Sequence, residues 1–327
     1  PGPNSTEMTM HVGFERAGVP GLLTSGACFI APAVLLTGGL AWAYVEFGSA
    51  PQAAGILAGI QPAVIAVILG AVWRLGRPLL GDWRHPVLAA LVIGVALAGL
   101  GELGSLALGA LLGTPWLARR GAPAAPPAAF ALPGLHGGGP ATAMALGAAA
   151  AVPAGLLALF LFFLKVGAVL YGSGYVLVAF LEGGLVEGRQ WLTQPQLLDA
   201  IGVGQTTPGP VLSTATWVGY VIRGWPGAVV ATLGIFLPSF LFVGFLNPLI
   251  PRLRSSRITS AFLDAVNASA LALMVVVTLR LGATTLGSPF AWTVASLSAL
   301  LIVKWRVNAA WIVVGAGVLG AAFATAS

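Results

Sequence analysis

The chain has 327 residues, of which 58% are hydrophobic and only 7% charged, whereas an ordinary soluble domain carries about 25% charged residues. Too few polar side chains remain to cover a water-soluble globule, and the apolar residues fall in runs of roughly 20, the length that crosses a hydrocarbon core, so the composition specifies an all-α polytopic membrane protein. The net charge of +6 lies between apolar runs and not in a nucleic-acid-binding patch, the single cysteine, Cys28, excludes an intrachain disulfide, and no metal-ligand spacing, nucleotide fingerprint or catalytic dyad points to an enzyme, a metal or a cofactor.

In chain order, Pro1-Gly2-Pro3 comes first, and spans are predicted over 20–46, 53–73, 87–100 and 103–116. A Pro-, Gly- and Ala-rich stretch that no spanning helix tolerates follows, dividing the chain into a first repeat (1–116), a linker (117–141, with His136 as a solvated loop residue) and a second repeat (142–327). The second repeat opens on an apolar run over 143–180, breakable at Pro153 and at Gly172-Ser173-Gly174, and then continues from Pro208-Gly209-Pro210 with spans over 226–250, 258–279, 287–303 and 308–326.

The two Pro-Gly-Pro stretches start copies of one unit, held at a constant offset of 206 residues. Gly13 matches Gly219, Gly18 matches Gly224, Pro20-Gly21 matches Pro226-Gly227, Pro32 matches Pro238, Gln61 matches Asn267, and Arg74-Leu75-Gly76 matches Arg280-Leu281-Gly282. The first copy has no counterpart of the 43 residues from Lys165 to Pro208, and a chain that begins on the motif without an initiator methionine looks like a fragment.

Loop charges set the relative orientation of the copies, because cytoplasmic loops retain Lys and Arg. The loop 47–52 carries no basic residue, but its counterpart has Arg252, Arg254 and Arg257; the next loop has Arg74, Arg77 and Arg84 in the first copy and Arg280 alone in the second. The last hairpin reverses again, with Glu102 opposite Lys304 and Arg306. Alternating bias predicts inverted-topology repeats, an architecture that places a transport site near the midplane between two similar halves.

Neither proline of a Pro-Gly-Pro supplies an N–H and its glycine favours a turn, so each motif breaks a helix inside the membrane and starts a half-helix, at about Pro210 in the second copy. The free N–H groups and positive dipole end of two such half-helices, facing each other from inverted halves, suit a small oxyanion. The flanking Gln205-Thr206-Thr207, Ser213, Asn4 and Ser5 are candidate hydrogen-bond donors. Lys165, enclosed by apolar residues, is a candidate positive charge for the same site, and Tyr171-Gly172-Ser173-Gly174 a second candidate break with hydroxyls beside it. A structural kink, a snorkelling lysine and close helix packing are the corresponding non-functional readings.

The proton-coupling candidates are Glu7 and His11, one turn apart on a shared helix face, together with Asp199, Asp264 and Asn267. Thr193 and Gln196 have the spacing of a capping box, which places a helix start just before Asp199. Each carboxylate could equally be satisfied by an interhelical hydrogen bond, and Glu102 reads as a hairpin tip.

Phe163-Leu164-Lys165-Val166-Gly167, Leu170-Tyr171-Gly172-Ser173-Gly174-Tyr175, Trp191-Leu192-Thr193, Gln196-Leu197-Leu198-Asp199-Ala200 and Gly204-Gln205-Thr206-Thr207-Pro208-Gly209-Pro210 together resemble the second half of the chromate ion transporter family. Gly234-Ile235-Phe236-Leu237-Pro238-Ser239-Phe240 and Phe262-Leu263-Asp264-Ala265-Val266-Asn267 continue the resemblance, and Pro1-Gly2-Pro3-Asn4-Ser5-Thr6-Glu7-Met8 with His11, Ala17-Gly18 and Pro20-Gly21 is similar to the family's first-half signature. The resemblance implies export of chromate across a bacterial inner membrane, linked to the proton-motive force and conferring chromate resistance. It carries the substrate role onto Lys165, Tyr171, Gly172, Ser173 and Gly174 in addition to the Pro-Gly-Pro turns. Sulfate or another oxyanion is the alternative substrate, and an anion channel or a non-transporting membrane protein the alternative class. The partners expected are the oxyanion and the lipid bilayer, with no nucleic acid and with homodimerisation left open.

Overall fold

The computed structural model describes residues 3–48, 50–118, 155–170, 174–246 and 257–326. The first two linker residues continue α4, and linker residues 119–141, Pro1, Gly2, Tyr171, Gly172 and Ser173 lie outside the described residues. The first repeat comprises α1 (Pro3–Phe47), α2 (Pro51–Gly76), α3 (Arg84–Leu97) and α4 (Gly101–Ala118). The second comprises α5 (Leu156–Val169), α6 (Val176–Leu181) running into a π-helical turn (Glu182–Gly188), α7 (Gln194–Thr206), α8 (Thr214–Leu246), α9 (Arg257–Thr285), α10 (Pro289–Lys304) and α11 (Ala309–Ala326). Four segments, Ser5–Phe47, Ala53–Gly81, Val211–Phe245 and Ile258–Thr285, are long and apolar enough to cross a membrane. With no strand among the described residues, the chain is an all-helical multi-pass membrane protein.

The two copies share a backbone irregularity as well as a sequence offset. Within α1 the helix is interrupted at Ala17 (φ −145°) and Gly18 (φ 60°, ψ −142°), and within α8 at Arg223 (φ −145°) and Gly224 (φ 61°, ψ −154°). That second conformation lies outside the space open to a side-chain-bearing residue, which is why glycine stands at both positions. Pro20 and Pro226 follow two residues later, where the first turn of a new helix has no use for an N–H. Each long helix is therefore a short segment joined to a full-length one, and Pro32 and Pro238 lie at matching positions in the latter.

The equivalent helices run antiparallel. Gly76 of α2 packs against Leu271 of α9, and Gly282 of α9 packs against Ile65 of α2. At the 206-residue offset Ile65 is the counterpart of Leu271 and Gly76 that of Gly282, so these two contacts are a single contact repeated by a two-fold operation. Likewise α1 meets α8 head to tail, with Gly26 near Phe240 and Gly38 near Trp225. The rest of the packing is exchanged in the same manner: α2 lies on the α10–α11 hairpin of the second copy, and α9 on the α3–α4 hairpin of the first. Small residues permit this closeness in a setting where lipid is as apolar as any side chain. Gly59 abuts Gly320 across α2 and α11, and Gly109 and Gly113 abut Ser269 and Ala265 across α4 and α9.

Candidate functional site

A cavity of about 1340 Å³ opens where α2, α6, α7 and the α10–α11 turn converge. Its floor is the broken turn after α7. This helix starts on the predicted capping box, Thr193 accepting from the Gln196 N–H while the Gln196 side chain accepts from the Thr193 N–H, and it ends at Thr206. Pro208 and Pro210 cannot continue it, Gly209 turns the chain at φ 137°, and a 3₁₀ turn (Val211–Ser213) leads into α8, which realises the predicted half-helix. Gly209 is also pressed against Ala33 of α1, so that a Cβ there would collide with the Ala33 methyl.

The polar wall of the cavity joins the two repeats. The Tyr175 hydroxyl donates to Gln205 Oε1 at 3.0 Å, and Arg74 lies against the same hydroxyl. Gln205 Nε2 is buried and has no hydrogen-bond partner, a donor left over in this network. Arg77, Arg306 and Asn308 line the wall beside Arg74. The centre of the two-fold contact falls between Gly70 and Ala71 on α2, so Arg74 stands about one helical turn, ~5 Å, from it. An arginine at that depth is tolerated where it meets water or a counter-ion, and here it faces the cavity.

The sequence-derived candidates separate into those that meet at this cavity and those that do not. Gln205, Thr206, Thr207, Pro208, Gly209, Gly174 and Ser5 all line it, which brings the second Pro-Gly-Pro, the glycine-rich break and the start of the first copy to one place. The Thr206 and Thr207 hydroxyls donate back to the Val203 and Gly204 carbonyls. Ser213 is fully buried and accepts from Thr37 at 3.2 Å, away from the lining. Pro210, Glu7 and His11 are not among the lining residues either; the last two are half-buried on α1. Pro3 begins α1, and the side chain of Asn4 lies outside the described set.

Lys165 lies on α5 with Glu102 and Arg189 as its charged neighbours and does not line the cavity. Asp199 is buried with both oxygens satisfied, Oδ2 by the Tyr44 hydroxyl at 3.0 Å and Oδ1 by Gln61 Nε2 at 3.1 Å. It therefore ties α7 to both α1 and α2. Asp264 and Asn267 are half-buried on α9, the former near His85. Glu102 is at the α3–α4 hairpin tip, as expected, and is packed onto the π turn.

Arg74, Arg77 and Arg306 are the site residues that composition and spacing did not single out, because loop arginines read as topology signals. The available clue was that Arg74 recurs as Arg280 at the 206-residue offset, whereas orientation alone predicts that equivalent loops differ in charge.

Inverted helical repeats with discontinuous helices around a basic, water-accessible cavity define a membrane protein of the transporter type. The chromate transporter family model matches residues 1–114 and 157–321, and the chain belongs to this family. It is 30% identical to the chromate transport protein of Cupriavidus metallidurans over 98% of this chain and 79% of the relative. It is 33% identical to the chromate transport protein of Pseudomonas aeruginosa, again over 98% and 79%, and 31% identical to a probable chromate transport protein of Synechococcus elongatus over 83% and 68%. No solved structure matches the chain.

Proposed function

We propose that this protein is a secondary transporter that exports chromate across the bacterial inner membrane, driven by the proton gradient, and so confers chromate resistance. The observation that carries the reading is the cavity: Arg74, Arg77 and Arg306 supply positive charge beside the broken Gln205–Pro210 segment, and Gln205 Nε2 has no partner of its own. A tetrahedral dianion needs several convergent donors together with compensating charge, and guanidinium groups offer both in a fixed fork. The names of the relatives supply chromate as the anion. The three arginines come from the α2 end and the α10–α11 turn, the loops that the charge bias assigns to the cytoplasm, which supports loading from the cytoplasmic side. Lys165 and Ser213, which do not line the cavity, are left out of the anion site.

The test is uptake of radiolabelled chromate into inverted vesicles with and without an imposed proton gradient, and with excess sulfate as competitor. Saturable, gradient-dependent uptake that Arg74→Gln abolishes and that sulfate displaces only weakly is the expected result. Saturable uptake displaced equally by sulfate would make this a general oxyanion carrier, and the absence of saturable uptake would overturn the reading.

A further inference from the structure

On the opposite side of the two-fold from the cavity, three carboxylates from both repeats converge. Glu102 projects from the first turn of α4, and Glu182 and Glu187 from the π turn, with carboxylate oxygens all within 4.8 Å of one another. The π geometry is what assembles them: it closes i to i+5, aligning two residues five apart that would point in different directions at 3.6 residues per turn. Glu102 lies flat against Gly183, where any Cβ would overlap its carboxylate.

The charges facing this group are Arg280 from α9 and Lys165 from α5, the latter with Arg189 beside it. Arg280 Nη1 is 2.6 Å from Glu187 Oε1 but 3.9 Å from Glu182 Oε2. Glu182 is completely buried and neither of its oxygens accepts a hydrogen bond. A buried carboxylate without a donor is costly as an ion, and three carboxylates this close do not all ionise together. A divalent cation would have to displace Arg280 and sit beside Lys165; a proton requires neither.

From this geometry we propose that Glu102, Glu182 and Glu187 form the proton-binding site that couples anion transport to the gradient, an inference that rests on the transport reading above. Glu187, which is exposed, admits the proton from water. A proton taken up by the donor-less Glu182 changes the charge 3.9 Å from Arg280, the two-fold counterpart of Arg74 on the cavity wall, and so alters the antiparallel α2–α9 pair that holds the anion. Asp199, the most buried of the carboxylates singled out from sequence, already accepts two hydrogen bonds.

The experiment compares chromate counterflow, which needs no net driving force, with gradient-driven accumulation in proteoliposomes of the full chain, using wild type, Glu182→Gln and Glu102→Gln. Counterflow should persist in both variants while gradient-driven accumulation falls by at least about fivefold, the low end of site-to-site couplings. The difference infrared spectrum between acid and alkaline pH should lose a protonated-carboxyl band in Glu182→Gln. Accumulation and infrared band at wild-type level in both variants would overturn the coupling site, whereas absence of counterflow in the wild type would overturn the transport reading itself. If Glu182→Gln does not fold, Glu102→Gln, altered at a half-buried position, decides alone.

Discussion

Arg74 and Arg280 are the same residue of the repeated unit and have opposite surroundings. Arg74 stands on the cavity wall against the Tyr175 hydroxyl, while Arg280 is held 2.6 Å from Glu187. The two-fold places them about one turn either side of its centre, so each is a cation at similar depth whose burial must be compensated. Carboxylates of the chain compensate Arg280. Arg74 instead faces the cavity, where the proposed function has the transported anion compensate it.

Replacing Arg74 with Gln should therefore weaken chromate binding. Loss of a hydrogen bond to a charged group, ~1.5–3 kcal/mol, corresponds to at least about a tenfold rise in Kd, measurable by calorimetric titration of the purified protein. Arg280→Gln should raise that Kd less than Arg74→Gln does, because Arg280 does not line the cavity and its partners are carboxylates. Equal losses in the two variants would contradict the asymmetry.

Gly209 and Gly224 both adopt positive φ, but they differ in what surrounds them. An alanine at 224 meets only the penalty of a backbone conformation that glycine alone adopts readily, about 1–3 kcal/mol, since nothing lies within reach of its methyl. An alanine at 209 adds a collision with Ala33 at the floor of the cavity. Gly224→Ala should lower the unfolding temperature modestly and retain counterflow, whereas Gly209→Ala should lose counterflow even where the protein is recovered folded; both are read by thermal scans in detergent together with the flux assay.

Asp199, Tyr44 and Gln61 form a buried hydrogen-bonded link between the repeats. A double-mutant cycle of Tyr44→Phe and Asp199→Asn should give a coupling energy of at least about 0.5 kcal/mol in denaturation experiments, the range found for residues sharing one network. Additivity would mean that the link contributes nothing to holding α1 on α7.

Inverted topology predicts sidedness of chemical labelling. In a Cys28→Ser background, needed because Cys28 is exposed, cysteines replacing Arg77 and Arg306 should react with a membrane-impermeant maleimide from one face of the membrane. A cysteine replacing Glu187 should react from the other. Labelling of all three from one face would rule out the antiparallel arrangement of α2 and α9.

Much of the fold was legible in the residues because the signals are local. Predicted spans over 53–73, 258–279, 287–303 and 308–326 became Pro51–Gly76, Arg257–Thr285, Pro289–Lys304 and Ala309–Ala326. Hydrocarbon thickness sets the length of such runs, and Pro and Gly end them through their own backbone chemistry. The broken turn at Pro208–Pro210 and the capping box at Thr193 were readable for the same reason. The repeat was legible as a register of glycines and prolines, and its inversion as an alternation of loop charge.

What the residues alone determined is thus where the chain crosses, where it breaks and that it is two copies of one unit, since each follows from interactions within a few residues of sequence. Which charges meet was decided only in three dimensions. Packing of α2 and α9 against the α6–α7 region of the second copy brought Arg74 to Tyr175, which donates to Gln205, and Arg280 to Glu182 and Glu187. Partners separated by about one hundred residues leave no periodic trace in the sequence, and the same arginine lines a cavity or is half of an ion pair according to which part of the second repeat lies beside it.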